Sequence, residues 1–331
     1  MLEPQRIRLA NLPTPLVKLE RLSRELGGAE LWMKRDDLTG LEVSGNKVRK
    51  LEYVVADALA GDCDTLVTEG TAQSNHCRAT AAVCARLGLG CRLLLRPEAP
   101  DRPQGNHLLD VLFGAETRSF SRAELAANRQ RIVAETLAEL KAAGRVPRWT
   151  PAGSSEPLGC WGYIHAMSEL AGQLDGAGID ECDIVLAVSS GGTHAGTVLG
   201  TLLNRRDRWR VWAVPVSDDV AYHRANVGQL CRDASARYDL PVEYRDDLLH
   251  FIDGYVGAGY AIPYATALEA LRLVARTEAI VLDPVYTAKA FCAVLEGVRS
   301  KRFGFERPVV FLHTGGIFSN FAWPDVLLGG A

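Results

Sequence analysis

Short apolar runs alternate with longer amphipathic ones along most of the chain. Thr65-Leu66-Val67-Thr68 is β-branched and apolar and predicts a strand. It leads through Glu69-Gly70-Thr71 into residues 74–88, an Ala-rich run that opens on the cap residues Ser74 and Asn75 and closes on Gly88. That pattern predicts a helix. Residues 91–95, 184–188, 211–216 and 308–312 are near-continuous apolar runs and predict further strands. Val48, Leu51, Val55 and Leu59 recur three and four apart, the apolar stripe of a helix from Lys47 to about Ala60. Residues 122–143 predict a longer helix, and residues 147–162, rich in Pro, Gly and Ser, an irregular crossing between domains. Apolar strands separated by helices point to an α/β fold with parallel sheets covered on both faces.

Composition narrows the function classes. A length of 331 residues corresponds to roughly two domains. With 37 basic and 40 acidic residues the net charge is −3, so the basic footprint of a nucleic-acid binder is missing. No apolar run is long enough to predict a membrane span. The start, Met1-Leu2-Glu3-Pro4-Gln5-Arg6, leads into no apolar signal segment, and none of the eight cysteines forms a C-x-x-C pair. Free thiols in a reducing cytoplasm are the expectation.

Three polar loops carry candidate chemistry. Ser189-Ser190-Gly191-Gly192-Thr193-His194-Ala195-Gly196-Thr197 follows an apolar run and precedes a helix-like one. Glycines there admit an anion to a helix N-terminus, which predicts a phosphate site; the plainer reading is a tight turn without ligand. Neither a G-x-G-x-x-G loop nor a P-loop occurs, which disfavours a nucleotide-binding dehydrogenase. Lys47 and Lys50 fall on one face of a helix start. A lysine with a cationic neighbour is a candidate nucleophile toward a carbonyl, against the plainer reading of a solvated basic face. Ser44 and Lys47 spell S-x-x-K, but the S-D-N and K-T-G partners of that motif are absent. Gln73-Ser74-Asn75-His76 caps a predicted helix and presents side chains suited to a carboxylate or a ring oxygen. His76, His194 and His313 sit in such loops without metal-ligand spacing, so no metal is predicted. His107, His165, His223 and His250 read as packing or surface residues.

The run Ser44-Gly45-Asn46-Lys47-Val48-Arg49-Lys50-Leu51-Glu52-Tyr53 resembles the G-N-K-x-R-K-L-E motif of the pyridoxal-phosphate family that holds D-cysteine desulfhydrase and 1-aminocyclopropane-1-carboxylate deaminase. Leu12-Pro13-Thr14-Pro15-Leu16, Lys34-Arg35-Asp36-Asp37-Leu38-Thr39-Gly40, Gln73–Asn75, the 189–196 loop, Asp283-Pro284-Val285-Tyr286 and His313-Thr314-Gly315-Gly316 match further family segments in order. The resemblance implies the tryptophan-synthase-β-like fold (fold type II): two α/β domains with open, mostly parallel twisted sheets. The larger domain would comprise residues 1–47 and 161–331, with residues 48–160 inserted as the smaller one. It also implies pyridoxal 5′-phosphate as cofactor, a small amino-acid substrate and a homodimer. Lys47 would be the Schiff-base lysine and Lys50 would lie near the phosphate. Asn75 would bond the ring 3′-oxygen. Gly191, Gly192, Thr193, His194, Ala195, Gly196 and Thr197 would hold the phosphate. Thr314 would also contact the cofactor. Ser74, Tyr260 and Tyr286 would be catalytic, and Gln73, Ser74, Asn75, Tyr260, Tyr286 and Thr287 would meet the substrate.

Thr287 and Thr314 bear on the reaction. The deaminases of the family carry Glu and Leu at these positions, so both residues point to the desulfhydrase-like branch. A carboxylate near the pyridine nitrogen would strengthen the ring as an electron sink, and a neutral hydroxyl does so much less. The expectation is β-elimination from D-cysteine, giving pyruvate, hydrogen sulfide and ammonia. L-cysteate sulfo-lyase, ring-opening deaminase and a catalytically silent binding protein on the same fold are the alternatives. Cys77, Glu156 and Trp161 depart from the family pattern near the expected site.

Overall fold

The computed structural model describes residues 1–96 and 102–329. Along the chain the elements begin β1 (Leu16–Lys18), α1 (Glu20–Glu25), β2 (Leu31–Lys34), α2 (Asn46–Ala60), β3 (Thr65–Gly70), α3 (Asn75–Leu87), β4 (Gly90–Leu95), α4 (Gly105–Leu112), β5 (Glu116–Ser119) and α5 (Arg122–Ala142). They continue with β6 (Pro147–Trp149), α6 (Pro157–Gly176), β7 (Cys182–Val188), α7 (Gly192–Leu203), β8 (Trp209–Pro215), α8 (Val220–Tyr238), β9 (His250–Phe251), α9 (Ala265–Glu278), α10 (Thr287–Ser300), β10 (Val309–Leu312) and α11 (Pro324–Leu328).

The strands form a six-stranded sheet, ordered β1-β2-β10-β7-β8-β9, and a four-stranded sheet, ordered β5-β4-β3-β6. Every pairing is parallel except β1 with β2. Both faces of each sheet are covered, which is why their central strands read as unbroken apolar runs. In the larger sheet one face packs on α6, α7 and α8 and the other on α9 and α10. In the smaller sheet α2 and α3 cover one face, while Leu125, Ile132 and Leu140 of α5 cover Val67 and Leu94 on the other.

The stretch 147–162 differs from its predicted irregularity. Pro147–Trp149 pairs with β3 as an edge strand, where a proline is tolerated at the strand start. Pro157 occupies the first turn of α6, where its missing N–H costs nothing. The irregular crossing shortens to residues 150–156. The short edge strands β1, β5 and β9 carry little apolar signal and escaped sequence reading.

Helix α2 is shared between the two cores. Leu51 and Val55 face the smaller sheet, and Tyr53 and Val54 join Trp161 on the larger side. Glycines permit close stacking of α2, α6 and α7. A Cβ on Gly162 would lie 2.6 Å from the carbonyl carbon of Arg49, and one on Gly196 only 2.3 Å from the carbonyl oxygen of Cys160. All eight cysteines are free and buried. Among the described residues no helix is long and apolar enough to cross a membrane, and no side-chain cluster suits a metal ion.

Candidate active site

The C-terminal ends of β3, β4, β7, β8 and β10 converge on a cavity of about 520 Å³, through Gly70, Arg96, Val188, Ser217 and Thr314 respectively. This is the position at which open α/β sheets bind ligands.

Lys47 enters the cavity from the first turn of α2. The turn that starts this helix is pressed against the loop after β10. Gly45 has φ 104°, and a Cβ there would stand 2.7 Å from the Thr314 carbonyl oxygen. Only glycine combines that backbone with that approach. The Asn46 N–H donates to the same carbonyl at 3.1 Å, and Thr39 Oγ1 donates to the Gly45 carbonyl at 2.9 Å. The lysine is thereby aimed by backbone on both sides. Burial lowers its ammonium to about 8.

Lys50, one turn further, is fully buried rather than part of a solvated basic face. Its ammonium donates to the Gly153 carbonyl at 3.1 Å, and its Nζ lies 3.1 Å from where a Cβ on Gly192 would be. Burial first, and the Lys47 charge second, hold it well below the ordinary lysine range. A side chain on Gly192 would push this cation away from the start of α7.

The start of α7 is open toward an anion. Gly191 has φ 92° and turns the chain out of β7. The Gly192 N–H donates to Ser155 Oγ at 3.1 Å, and Ala195 N–H closes back on the Gly191 carbonyl at 3.0 Å. The N–H groups of Thr193 and His194 come before the first intrahelical bond, and the helix leaves such groups for an external acceptor. Gly191, Thr193 and His194 line the cavity. The His194 ring turns away and stacks edge-on against Phe251, and burial lowers it to about 3, so it is neutral.

Asn75 and Ser74 face the cavity from the start of α3. Asn75 Oδ1 accepts from Asn106 Nδ2 at 2.9 Å, which leaves its own amide hydrogens for a ligand oxygen. Ser74 Oγ caps the helix by accepting from Cys77 N–H at 3.2 Å, a bond that does not use its hydroxyl hydrogen. Cys77 is part of the buried core behind this turn. His76 is neutral, held well below its ordinary range by burial and then by Lys47, and its Nε2 shares a 2.9 Å bond with Thr68 Oγ1.

Tyr260 and Tyr286 close another wall, with their hydroxyls hydrogen-bonded to each other. Burial raises both, so both stay protonated. Asp283 fixes Tyr286 from below. Its carboxylate accepts from the Val285, Tyr286 and Thr287 N–H groups and from Thr287 Oγ1, at 2.9, 2.9, 2.8 and 2.7 Å.

The cavity thus gathers Lys47, Ser74, Asn75, Gly191, Thr193, His194, Tyr260, Tyr286 and Thr314. It does not gather all the expected residues. Gln73 turns to Asn106 and the Gln104 carbonyl. Thr287 is committed to Asp283. Ala195 and Thr197 lie within α7, and Gly196 is a helix-packing residue against Cys160. Glu156 pairs with Arg148 at 3.5 Å, and Trp161 is buried against Tyr53 and Tyr238. Asn106 and Ser155 were missed, and Ser190 and Asp283 were read only as members of their motifs, without roles of their own. Asn106, Ser155 and Ser190 act through partners distant in sequence, which no local spacing reveals, whereas Asp283 serves residues two to four positions on; a Cβ on Gly153 would meet Ser190 Oγ at 2.3 Å and Lys47 Nζ at 3.4 Å.

A lysine in the cavity wall that sheds its proton near neutrality, an open helix N-terminus and an amide aimed at an oxygen together suit an aldehyde that carries a phosphate. Fold and site define the class of enzymes that work through such a cofactor at the strand ends of an open α/β sheet. The chain belongs to the pyridoxal-phosphate dependent enzyme family, whose model matches residues 7–315. A D-cysteine desulfhydrase of Klebsiella pneumoniae (strain 342) is 38% identical over 323 residues, covering 96% of each chain. A crystal structure of an ACC deaminase homologue superposes with a TM-score of 0.89 at 35% identity, covering 99% of this chain and 96% of that one. The structure of an O-ureido-L-serine synthase shares the fold, with a TM-score of 0.68 at 17% identity over 96% and 93%. The cofactor is pyridoxal phosphate.

Proposed function

We propose that this enzyme catalyses β-elimination from D-cysteine, yielding pyruvate, hydrogen sulfide and ammonia. The observation that carries the proposal is Thr314 in the cavity wall after β10, where the ring-opening deaminases carry Leu, in a chain that is 38% identical to a D-cysteine desulfhydrase over nearly its whole length. Thr287 does not add to this argument, because its hydroxyl is spent on Asp283.

The cofactor, when bound, supplies a sink for the electron pair left at Cα. The other work falls to the chain. Lys47 anchors the cofactor and, with Ser74, is placed to hold or remove the Cα proton; an amine near 8 is matched to proton transfer at neutral pH. The open N–H groups of α7, with Lys50 beside them, receive the phosphate. Asn75 receives the ring oxygen. Ser74 has a hydroxyl hydrogen for the substrate carboxylate. The Tyr260–Tyr286 pair, protonated and partly buried, has a proton for the departing sulfur. The domain division at residues 47/48 and 160/161, a homodimer and a cytoplasmic setting are part of the same reading. Eight buried free thiols favour that setting.

The test is a substrate panel of D- and L-cysteine, L-cysteate, D-serine, β-chloroalanine and 1-aminocyclopropane-1-carboxylate, with keto acid, sulfide and sulfite assayed separately. D-cysteine should give sulfide and pyruvate in equal amounts. Sulfite from L-cysteate with no sulfide from D-cysteine would overturn the proposal.

Cofactor attachment should carry its own pH signature. The neutral amine is the reactive form, and with Lys47 near 8 about a tenth of it is neutral at pH 7, against fewer than about one in a thousand for an ordinary lysine. Apoprotein mixed with pyridoxal phosphate should therefore gain its covalent absorbance at a rate that climbs with pH and levels off above about pH 8. A rate still rising steeply at pH 10 would mean that an unperturbed lysine reacts.

A further inference from the structure

Tyr260 stands on a loop with little structure of its own. Gly254, Gly257 and Gly259 all have positive φ, as does Ala261, and Asp253, Gly254, Gly257 and Ala258 are exposed. Such a segment pays a large entropic cost to hold one conformation. Tyr255 pins its start by donating to Glu296 Oε2 at 2.6 Å, and Lys289 supplies the fixed points nearest Tyr260. This lysine lies in the first turn of α10, three residues after Tyr286, and its side chain is fully buried. Its ammonium donates to the Val256 carbonyl at 2.7 Å and the Gly259 carbonyl at 2.9 Å, and Nζ lies 5.6 Å from the centre of the Tyr264 ring. Among the described residues it forms no salt bridge, and the carboxylate of Asp283 on the turn before it already accepts four hydrogen bonds. A buried ammonium is costly without a partner of opposite charge, and here its donors are directed at the loop backbone.

We propose that Lys289 is a positioning residue for Tyr260: it clips the 256–259 backbone to α10, so that the Tyr260 hydroxyl meets that of Tyr286 over the cavity. One helix start then sets both tyrosines, Tyr286 directly and Tyr260 through the two carbonyls. The inference rests on the role given to Tyr260 in the proposed function.

The experiment is a double-mutant cycle on the holoenzyme, with the best substrate of the panel. Tyr260→Phe, Lys289→Met and the double variant are compared for kcat and KM, with the covalent cofactor absorbance and Tm as controls. Lys289→Met should lower kcat/KM roughly 10- to 100-fold, the scale of a misplaced group, with the absorbance retained. The double variant should be no slower than Tyr260→Phe alone, because the two act as one unit. Lys289→Gln, which keeps a donor, should recover part of the loss; it replaces Lys289→Met in the cycle if the latter does not fold. Losses that multiply in the double variant would overturn the proposal while leaving Tyr260 in the reaction. Full activity in Tyr260→Phe would remove Tyr260 from the reaction, and this role of Lys289 with it.

Discussion

A Lys47→Ala protein should purify without the visible absorbance of a covalently held cofactor, and borohydride should fix no pyridoxyl label on it. Its turnover should fall by at least about three orders of magnitude, the scale expected when the anchoring nucleophile and proton carrier are lost together. The wild-type protein treated in the same way should carry the label on Lys47 and not on Lys50. The two lysines share a helix face, so chemistry alone does not separate them. Their surroundings do. Lys50 donates to the Gly153 carbonyl and is walled in beside Gly192, whereas Lys47 opens on the cavity. A Lys50→Ala protein should accordingly keep a borohydride-bleachable band while holding the phosphate less tightly. Label on Lys50, or a Lys47→Ala protein whose band survives, would reverse the assignment.

That contrast marks how far the sequence could be read. The apolar runs after residues 64, 90, 183, 210 and 307 became β3, β4, β7, β8 and β10, because strands buried on both faces leave a continuous signal. The helix over residues 74–88 ended where expected, at Gly88 with φ 70°. The loops that follow those strands were found for the same reason, since a parallel sheet delivers its loops to one edge. The glycines inside them were harder. Gly191 and Gly196 stand in one motif, yet the first turns the chain toward an anion and the second lets α7 press on α6. Both demands select glycine, so composition cannot tell them apart. Thr287 posed the same problem. A threonine after an active-site tyrosine reads as a substrate contact, and only the position of Asp283 shows that it closes a helix cap. Asn106 left no signal, because orienting Asn75 across 31 residues depends on how α4 packs on α3.

Arg49→Met should destabilise the fold by about 3–5 kcal/mol, because it strands a buried carboxylate. Arg49 follows Lys47 by two residues and is buried. Its Nε and Nη2 donate to the two Asp36 oxygens at 2.9 and 2.7 Å, and Nη1 and Nη2 reach Glu169 at 3.1 and 3.0 Å. Asp36 also accepts from the Tyr163 hydroxyl at 2.6 Å and Thr14 Oγ1 at 2.7 Å. Burial by itself would raise the Asp36 carboxyl, but Arg49, and after it Lys34 and Tyr163, outweigh that and hold it below the ordinary range. A carboxylate lowered in this way stabilises the fold above its unfolded value of about 3.9, and the contribution is lost as pH falls. Without the guanidinium, burial becomes the dominant influence and the ionised carboxylate becomes a cost that protonation relieves. The deficit of Arg49→Met against wild type should thus be largest near pH 8 and narrow toward pH 4, as followed by urea denaturation. Adding Asp36→Asn should return part of the stability, because the stranded charge is gone. A deficit that does not change with pH and is not relieved by Asp36→Asn would mean that Arg49 contributes only through its packing. The cluster joins the start of α2 to α6 and to the segment after β2, so its loss should also loosen the placement of Lys47. Cofactor attachment should then weaken in Arg49→Met at pH 8, where the stranded charge is greatest, more than at pH 6.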